Sequence, residues 1–134
     1  MAVGSCLCGA VRFEVTGPLG AIHHCHCSMC RKAHGAAFSS FARTAAGNVR
    51  VTAGAATLRS YRSSAPVERS FCATCGARLF FRHDALPDAT WVAAGALDGD
   101  PGVRAESHIF VASKAPWFEI ADALPQHEGY PPEP

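Results

Sequence analysis

The chain has 134 residues, 49% of them apolar, with 12 Lys or Arg against 11 Asp or Glu and a formal net charge of +1. That length suits a single domain able to bury a moderate core, and a near-neutral chain without a dense basic stripe argues against a nucleic-acid partner. No stretch approaches the ~20 apolar residues of a membrane span, and Met1 to Cys6 has no basic segment leading into an apolar one, so a cytoplasmic protein with no signal peptide and no membrane partner is expected.

Residues 10–16 alternate Val11, Phe13 and Val15 with Arg12, Glu14 and Thr16, the period-two pattern of a half-buried strand. Gly17-Pro18-Leu19-Gly20 ends it. Ser28 to His34 predicts one or two helical turns, with Ser28 at the N-cap position. Further strands are expected at 37–42, 48–52, 57–62, 67–71, 78–82, 90–96 and 108–112, most of them bounded by Gly, Pro, Asn, Asp or Ser. Core packing is the expectation for Trp91, Trp117 and Tyr61. The Pro-rich segment 126–134 reads as a tail that is extended on the surface or partly disordered, after one domain over 1–125. The fold class is mainly β, with small sheets, metal knuckles and little helix.

Charge is unevenly spread. Residues 31–82 carry nine Lys or Arg and one acid, Glu68, whereas 83–134 carry nine acids and two bases, Arg104 and Lys114. The halves either neutralise each other across the fold or leave a cationic rim that attracts a carboxylate-bearing ligand.

The seven cysteines fall as Cys6-x-Cys8, Cys25-x-Cys27-x2-Cys30 and Cys72-x2-Cys75. In a reducing compartment such spacing reads as metal ligation and not as disulfides. Cys6-Leu7-Cys8-Gly9 and Cys72-Ala73-Thr74-Cys75-Gly76 both end in Cys-Gly, where glycine allows a tight turn that aims backbone N–H groups at sulfur. Two such pairs build a closed, structural four-cysteine zinc site. Cys25, Cys27 and Cys30 supply three more thiols for a second zinc whose fourth position is open to exchange. His24, His26 or His34 in that position gives a closed structural site instead, and a Cys27–Cys30 couple gives a redox protein. The same histidines, with His23, are candidate proton carriers near the metal or groups that orient the thiolates. Arg31, Lys32 and Arg43 are candidates for gripping a substrate carboxylate.

Gly4-Ser5-Cys6-Leu7-Cys8-Gly9-Ala10-Val11, His24-Cys25-His26-Cys27-Ser28-Met29-Cys30-Arg31-Lys32, Phe71-Cys72-Ala73-Thr74-Cys75-Gly76 and the segment from His108 to Phe118 together resemble the glutathione-dependent formaldehyde-activating enzyme family, which is related to the centromere protein V domain. The resemblance spans nearly the whole chain. It implies a β-tent fold of small antiparallel sheets assembled around zinc, a structural zinc on Cys6, Cys8, Cys72 and Cys75, and a labile one on Cys25, Cys27 and Cys30. It also implies a carbon–sulfur lyase, its partners being a small thiol such as glutathione and an aldehyde. Three thiolates make zinc a weak Lewis acid, which favours thiol handling over water activation. The competing reading is a non-enzymatic zinc-stabilised binding module, in which Phe38, Phe41, Phe80 and Phe81 would include a partner surface.

Overall fold

The computed structural model describes residues 1–132. Eleven strands and, among the described residues, one α-helix follow in chain order. They are β1 (Ala2–Ser5), β2 (Arg12–Val15), β3 (Ile22–Cys25), α1 (Ser28–His34), β4 (Ser39–Ala45), β5 (Val49–Ala53), β6 (Leu58–Ser64), β7 (Val67–Cys72), β8 (Arg78–His83), β9 (Ala89–Ala93), β10 (Leu97–Asp98) and β11 (Ala105–Ile109). A four-stranded sheet runs in the order β10-β1-β2-β5, and a seven-stranded sheet in the order β11-β3-β4-β9-β8-β7-β6. All pairings are antiparallel except β11 with β3, which is parallel. The mainly β architecture matches the expected β-tent class.

The alternation in β2 decides where the core sits. Phe13 and Val15 are fully buried, with Val11 just ahead of the strand, while Glu14 meets Arg50 on the outer face. Across the gap between the sheets stand Leu79, Phe80 and Val92, with Cys6 and Cys72 in the same cluster. The Phe13 ring meets Phe80 edge-on, centroids 5.0 Å apart. Truncating a ring so enclosed costs about 3–5 kcal/mol, a large share of a small domain's stability.

Helix α1 occupies the predicted residues, but its cap differs from the expectation. Cys27, not Ser28, is the N-cap, and its sulfur accepts the Cys30 N–H at 3.3 Å. The helix ends at Gly35, whose left-handed φ of 59° lets its N–H return to the Arg31 carbonyl. Seven residues are too few for a helix to persist alone in water. Arg78 holds it from outside, donating from Nε to the Ala33 carbonyl at 2.8 Å.

Several boundaries shift from their expected places. β1, β3 and β10 carry no legible alternation: β1 is built of small residues, β10 has two, and β3 exposes functional side chains on both faces. β9 stops at Ala93 because Ala94–Ala96 wind into a 3-10 turn. β11 begins and ends earlier than the 108–112 expected. Tyr61 and Trp117 are not core residues but are 65% and 70% exposed. The tail folds back along β11: Gln126 bridges His108, His127 N–H donates to the His108 carbonyl at 2.9 Å, and Tyr130 packs on Phe110. It thereby covers the open edge of the larger sheet. The expectation for 133–134 lies outside the described residues.

Candidate metal centres

The two Cys-Gly turns have nearly the same geometry. In the first, Cys6 N–H donates to the Val11 carbonyl and Gly9 N–H to that of Cys6; in the second, Cys72 N–H donates to Ala77 and Gly76 N–H to Cys72. Gly9 and Gly76 sit at φ 79° and 78°, a region that strains any residue with a Cβ. One turn joins β1 to β2, the other β7 to β8, so four thiols from the two sheets meet at one point. Cys6 Sγ lies 3.6 Å from Cys8 Sγ, and Cys8 Sγ 3.9 Å from Cys72 Sγ. Four thiolates at zinc–sulfur bonds of about 2.3 Å would form a tetrahedron with edges of about 3.8 Å. The Val11 N–H also donates to Cys6 Sγ at 3.3 Å.

The proton balance of this cluster calls for a cation. Cys75 is drawn down to about 6, chiefly because the Ala77 and Cys8 N–H groups stabilise its thiolate. For Cys8 the Ala10 N–H pulls the same way, yet the proton shared with Cys6, loss of hydration and the other two thiols push it up to about 11. Four crowded thiols cannot all ionise unaided at neutral pH; a divalent cation among them removes the conflict.

The second cluster is assembled by the passage from β3 into α1. Cys25 closes the strand, Cys27 caps the helix, and Cys30 points inward from its first turn. Their sulfurs lie within 4.8 Å of one another, and among the described residues no fourth His, Cys, Asp or Glu atom joins them. Cys25 and Cys30 are buried, while Cys27 is partly exposed, so the solvent side of the trio is at Cys27. Here too the thiols split: hydrogen bonding with Cys25 and Cys27, aided by the Arg69 charge, holds Cys30 far down, and the same contacts with burial hold Cys25 far up.

Arg69 is a site residue that the sequence reading missed. It is 5% exposed. Its Nη1 and Nη2 lie 3.5 and 3.6 Å from Cys30 Sγ, its Nε donates to Ser63 Oγ at 2.8 Å, and its guanidinium covers the Phe81 ring at 5.1 Å. A divalent cation among three thiolates carries a net −1, and Arg69 supplies the matching +1 inside a low-dielectric site. One signal was available: position 69 shares the inward face of β7 with Val67, where a charge needs a partner.

The histidines divide between two faces. Cys25 pairs with Ser39 in the β3–β4 ladder, and His24 with Ser40. His24 Nδ1 lies 2.7 Å from Ser40 Oγ, and His24 and His26 both pack on Phe38. They therefore lie across the strand from the thiols. His26 Nε2 is 2.8 Å from His108 Nδ1, and His108 Nε2 is 2.9 Å from Asp122 Oδ2, a polar chain that runs from two buried imidazoles to an exposed carboxylate and anchors the segment after β3 to β11 and the tail. His34 lies on the thiol side, one turn beyond Cys30 on the same helical face. Burial lowers its pKa, and the Cys30 charge partly offsets that.

The three cationic candidates also separate. Lys32 lines a cavity of about 660 Å³ beside α1, together with His34 and Arg78. Arg31 keeps a buried Nε without a partner. Arg43 stacks on Trp91, 5.4 Å from its centroid, about 13 Å along β4 from Ser39. The buried polar side-chain atoms without partners among the described residues are His26 Nδ1, Arg31 Nε and Ser39 Oγ. Ser39 and Arg31 border the second cluster in the ladder and on the helix, whereas His26 lies on the opposite face with the other imidazoles.

Comparison with known proteins points to one family. The profile of a family described as glutathione-dependent formaldehyde-activating enzyme matches residues 1–113. A Halomonas elongata protein that bears the name of such an enzyme is 32% identical over 139 aligned positions, spanning 97% of this chain and 88% of its own. An uncharacterized lyase of Schizosaccharomyces pombe is 24% identical, spanning 89% and 85%. The crystal structure of a Rhodobacter sphaeroides protein superposes with a TM-score of 0.63 at 29% identity, over 76% of this chain and 97% of that one.

Proposed function

The chain belongs to the glutathione-dependent formaldehyde-activating enzyme family, and on that premise we propose that it joins a small thiol of the glutathione type to formaldehyde, acting as a zinc-dependent carbon–sulfur lyase in the reverse sense. The observation that carries the reading is the trio Cys25, Cys27 and Cys30, three convergent sulfurs without a fourth protein ligand among the described residues. Cys6, Cys8, Cys72 and Cys75 would hold a structural zinc, and the trio a second, exchangeable one. Zinc at the trio supplies one thing when bound: it makes a coordinated thiol a thiolate at neutral pH.

In the reaction the thiol loses its proton and a sulfur–carbon bond forms at the aldehyde carbon. The carbonyl π pair moves to oxygen, which takes up a proton; nothing is oxidised or reduced. The chain's residues have separate tasks. Arg69 balances the charge of the thiolates, the Cys27 side of the trio admits reactants, and Lys32 meets a carboxylate of the thiol. His34, kept neutral by burial, can take the thiol proton and return it to the alkoxide. The free cysteines support a reducing, cytoplasmic setting.

The test is exchange NMR of glutathione with formaldehyde. The zinc-loaded protein is expected to accelerate exchange above the spontaneous rate, and Cys27→Ser to abolish the gain. An unchanged rate with fully loaded protein sinks the proposal.

A further inference from the structure

The C-terminal segment is tied to β11 bond by bond. The carbonyls of Pro125, Gly129 and His127 accept the N–H groups of His108, Phe110 and Val111 at 2.9, 3.2 and 3.1 Å, and the His127 N–H donates to the His108 carbonyl at 2.9 Å. These bonds bring the segment to the end of β11 that lies beside the thiol trio. Ile109 pairs with Cys25 in the β3–β11 ladder, and its carbonyl accepts the His26 N–H at 2.9 Å. His26 stands between Cys25 and Cys27, so Phe110, the next residue after Ile109, adjoins the loop that carries the trio.

Phe110 turns the chain there. Its φ of 56° is left-handed, and among the described residues no other non-glycine residue has a positive φ. A bulky side chain in that conformation is strained, and such strain gathers at functional sites. What Phe110 carries is Tyr130, whose ring meets it edge-on with centroids 4.8 Å apart. Pro131 follows Tyr130, and a residue before proline is kept extended, which narrows the positions open to the ring. Tyr130 remains 67% exposed, so its phenol is open to small molecules. Loss of hydration, then the charges of Cys25, Cys27 and Cys30, hold that phenol above its ordinary value, while the Arg69 guanidinium pulls the other way. It therefore keeps its proton at neutral pH.

We propose that Tyr130 is a catalytic residue: seated on Phe110 at the open side of the trio, its hydroxyl donates a hydrogen bond to the aldehyde oxygen as that oxygen gains negative charge. The inference rests on the reaction proposed above and adds the group that meets the oxygen. The phenol keeps its proton throughout. The sulfur–carbon bond forms, the carbonyl π pair moves to oxygen, and the proton that oxygen finally takes is the one the thiol lost. A donor in place before the charge develops lowers the barrier without changing how tightly the thiol binds.

Tyr130→Phe keeps the ring on Phe110 and removes only the oxygen. In exchange NMR of glutathione with formaldehyde its kcat is expected to fall about tenfold, less than the usual loss for one donor to a developing oxyanion because water reaches this site. KM, melting temperature and metal content should not change. Phe110→Ala removes the seat and should lower kcat by a similar factor. The double variant should be no slower than Tyr130→Phe, since both changes act through one hydroxyl; losses that multiply would overturn the seat. Placement is read without turnover. With fluorotyrosine incorporated and cobalt in both clusters, the Tyr130 resonance, assigned by its absence in Tyr130→Phe, should be shifted and broadened relative to the zinc protein. Cys27→Ser, expected to keep only the first metal, should restore it. If Tyr130→Phe matches an active wild type, or cobalt leaves the resonance unmoved, the role is wrong while the thiol–aldehyde reaction stands. If the loaded wild type itself gives no acceleration, that reaction fails and this role with it.

Discussion

The guanidinium of Arg69 lies against Cys30 Sγ, at 3.5 and 3.6 Å, across 39 residues of sequence. This contact ties β7, the strand next to the β6 edge of the larger sheet, to the helix that completes the second cluster. Three residues on, Cys72 belongs to the first cluster, so β7 serves both: an odd spacing along a strand aims the two side chains at opposite faces.

Arg69→Met leaves a buried negative charge without its partner, which costs about 3–5 kcal/mol where such a pair is broken. The loaded variant is expected to melt well below the wild type and to give up the trio's metal at a lower chelator concentration than the wild type does, while keeping the other. Arg69→Lys keeps the charge but not the two-pronged approach, and should fall between. Chelator titration beside a thermal melt checks this; equal melting temperatures and the same chelator midpoint as the wild type would count against the charge-balancing role.

The clusters should differ in what their loss does. Binding of a structural zinc contributes about 10–16 kcal/mol, comparable to a domain's entire stability, and Cys6 and Cys72 also lie in the core. Cys72→Ser is therefore expected to give an unfolded or insoluble chain. Cys27→Ser should stay folded with one metal bound, because serine is itself a good N-cap and can replace the sulfur at the start of α1. Circular dichroism with metal analysis separates the cases, and a folded Cys72→Ser protein would contradict this assignment of roles.

The chain from His26 through His108 to Asp122 is predicted to be unevenly sensitive. His108 is 1% exposed, and its removal opens a cavity and strips His26 Nε2 of its partner. His108→Ala should cost about 2–4 kcal/mol. The carboxylate of Asp122 is near water, which can replace it, so Asp122→Ala should cost under about 1 kcal/mol. Denaturant melts measure both, and a larger loss for Asp122→Ala would reverse the reading.

Acid should weaken the fold before any carboxylate titrates. Burial, the largest cause in each case, holds His23, His24, His26 and His34 below the ordinary value, His26 at about 4. The unfolded chain takes up these protons near pH 6.5 while the folded chain resists. The stability they confer is full above that pH and drains away as pH falls toward about 4. Thermal melts from pH 7.5 to 4, with metal content followed in parallel, should show a declining melting temperature while both metals are still bound. A flat profile over that range would remove the histidines from the stability balance.

Much of the site was legible in the chain. Cys-Gly pairs at positions 6–9 and 72–76 announce two similar turns, because a left-handed residue closes each and glycine adopts that conformation without strain. The alternation from Val11 to Val15 named the core face of β2. By contrast, β3 reads as a ligand-bearing loop, since Cys25 faces Ser39 and the metal side while His24 faces Ser40 and the imidazole side. A strand with chemistry on both faces has no hydrophobic period to detect.

By itself, the sequence determined the grouping of seven cysteines into four and three, the mainly β class, and the family to which the chain belongs. These depend on spacings of a few residues, where backbone geometry leaves little choice. Tertiary structure alone decided which cation meets Cys30, which histidines share the thiols' side, and that Arg78 and Lys32 open onto one cavity. Such relations join residues dozens of positions apart, and they are set by sheet order and strand register, which local spacing does not encode.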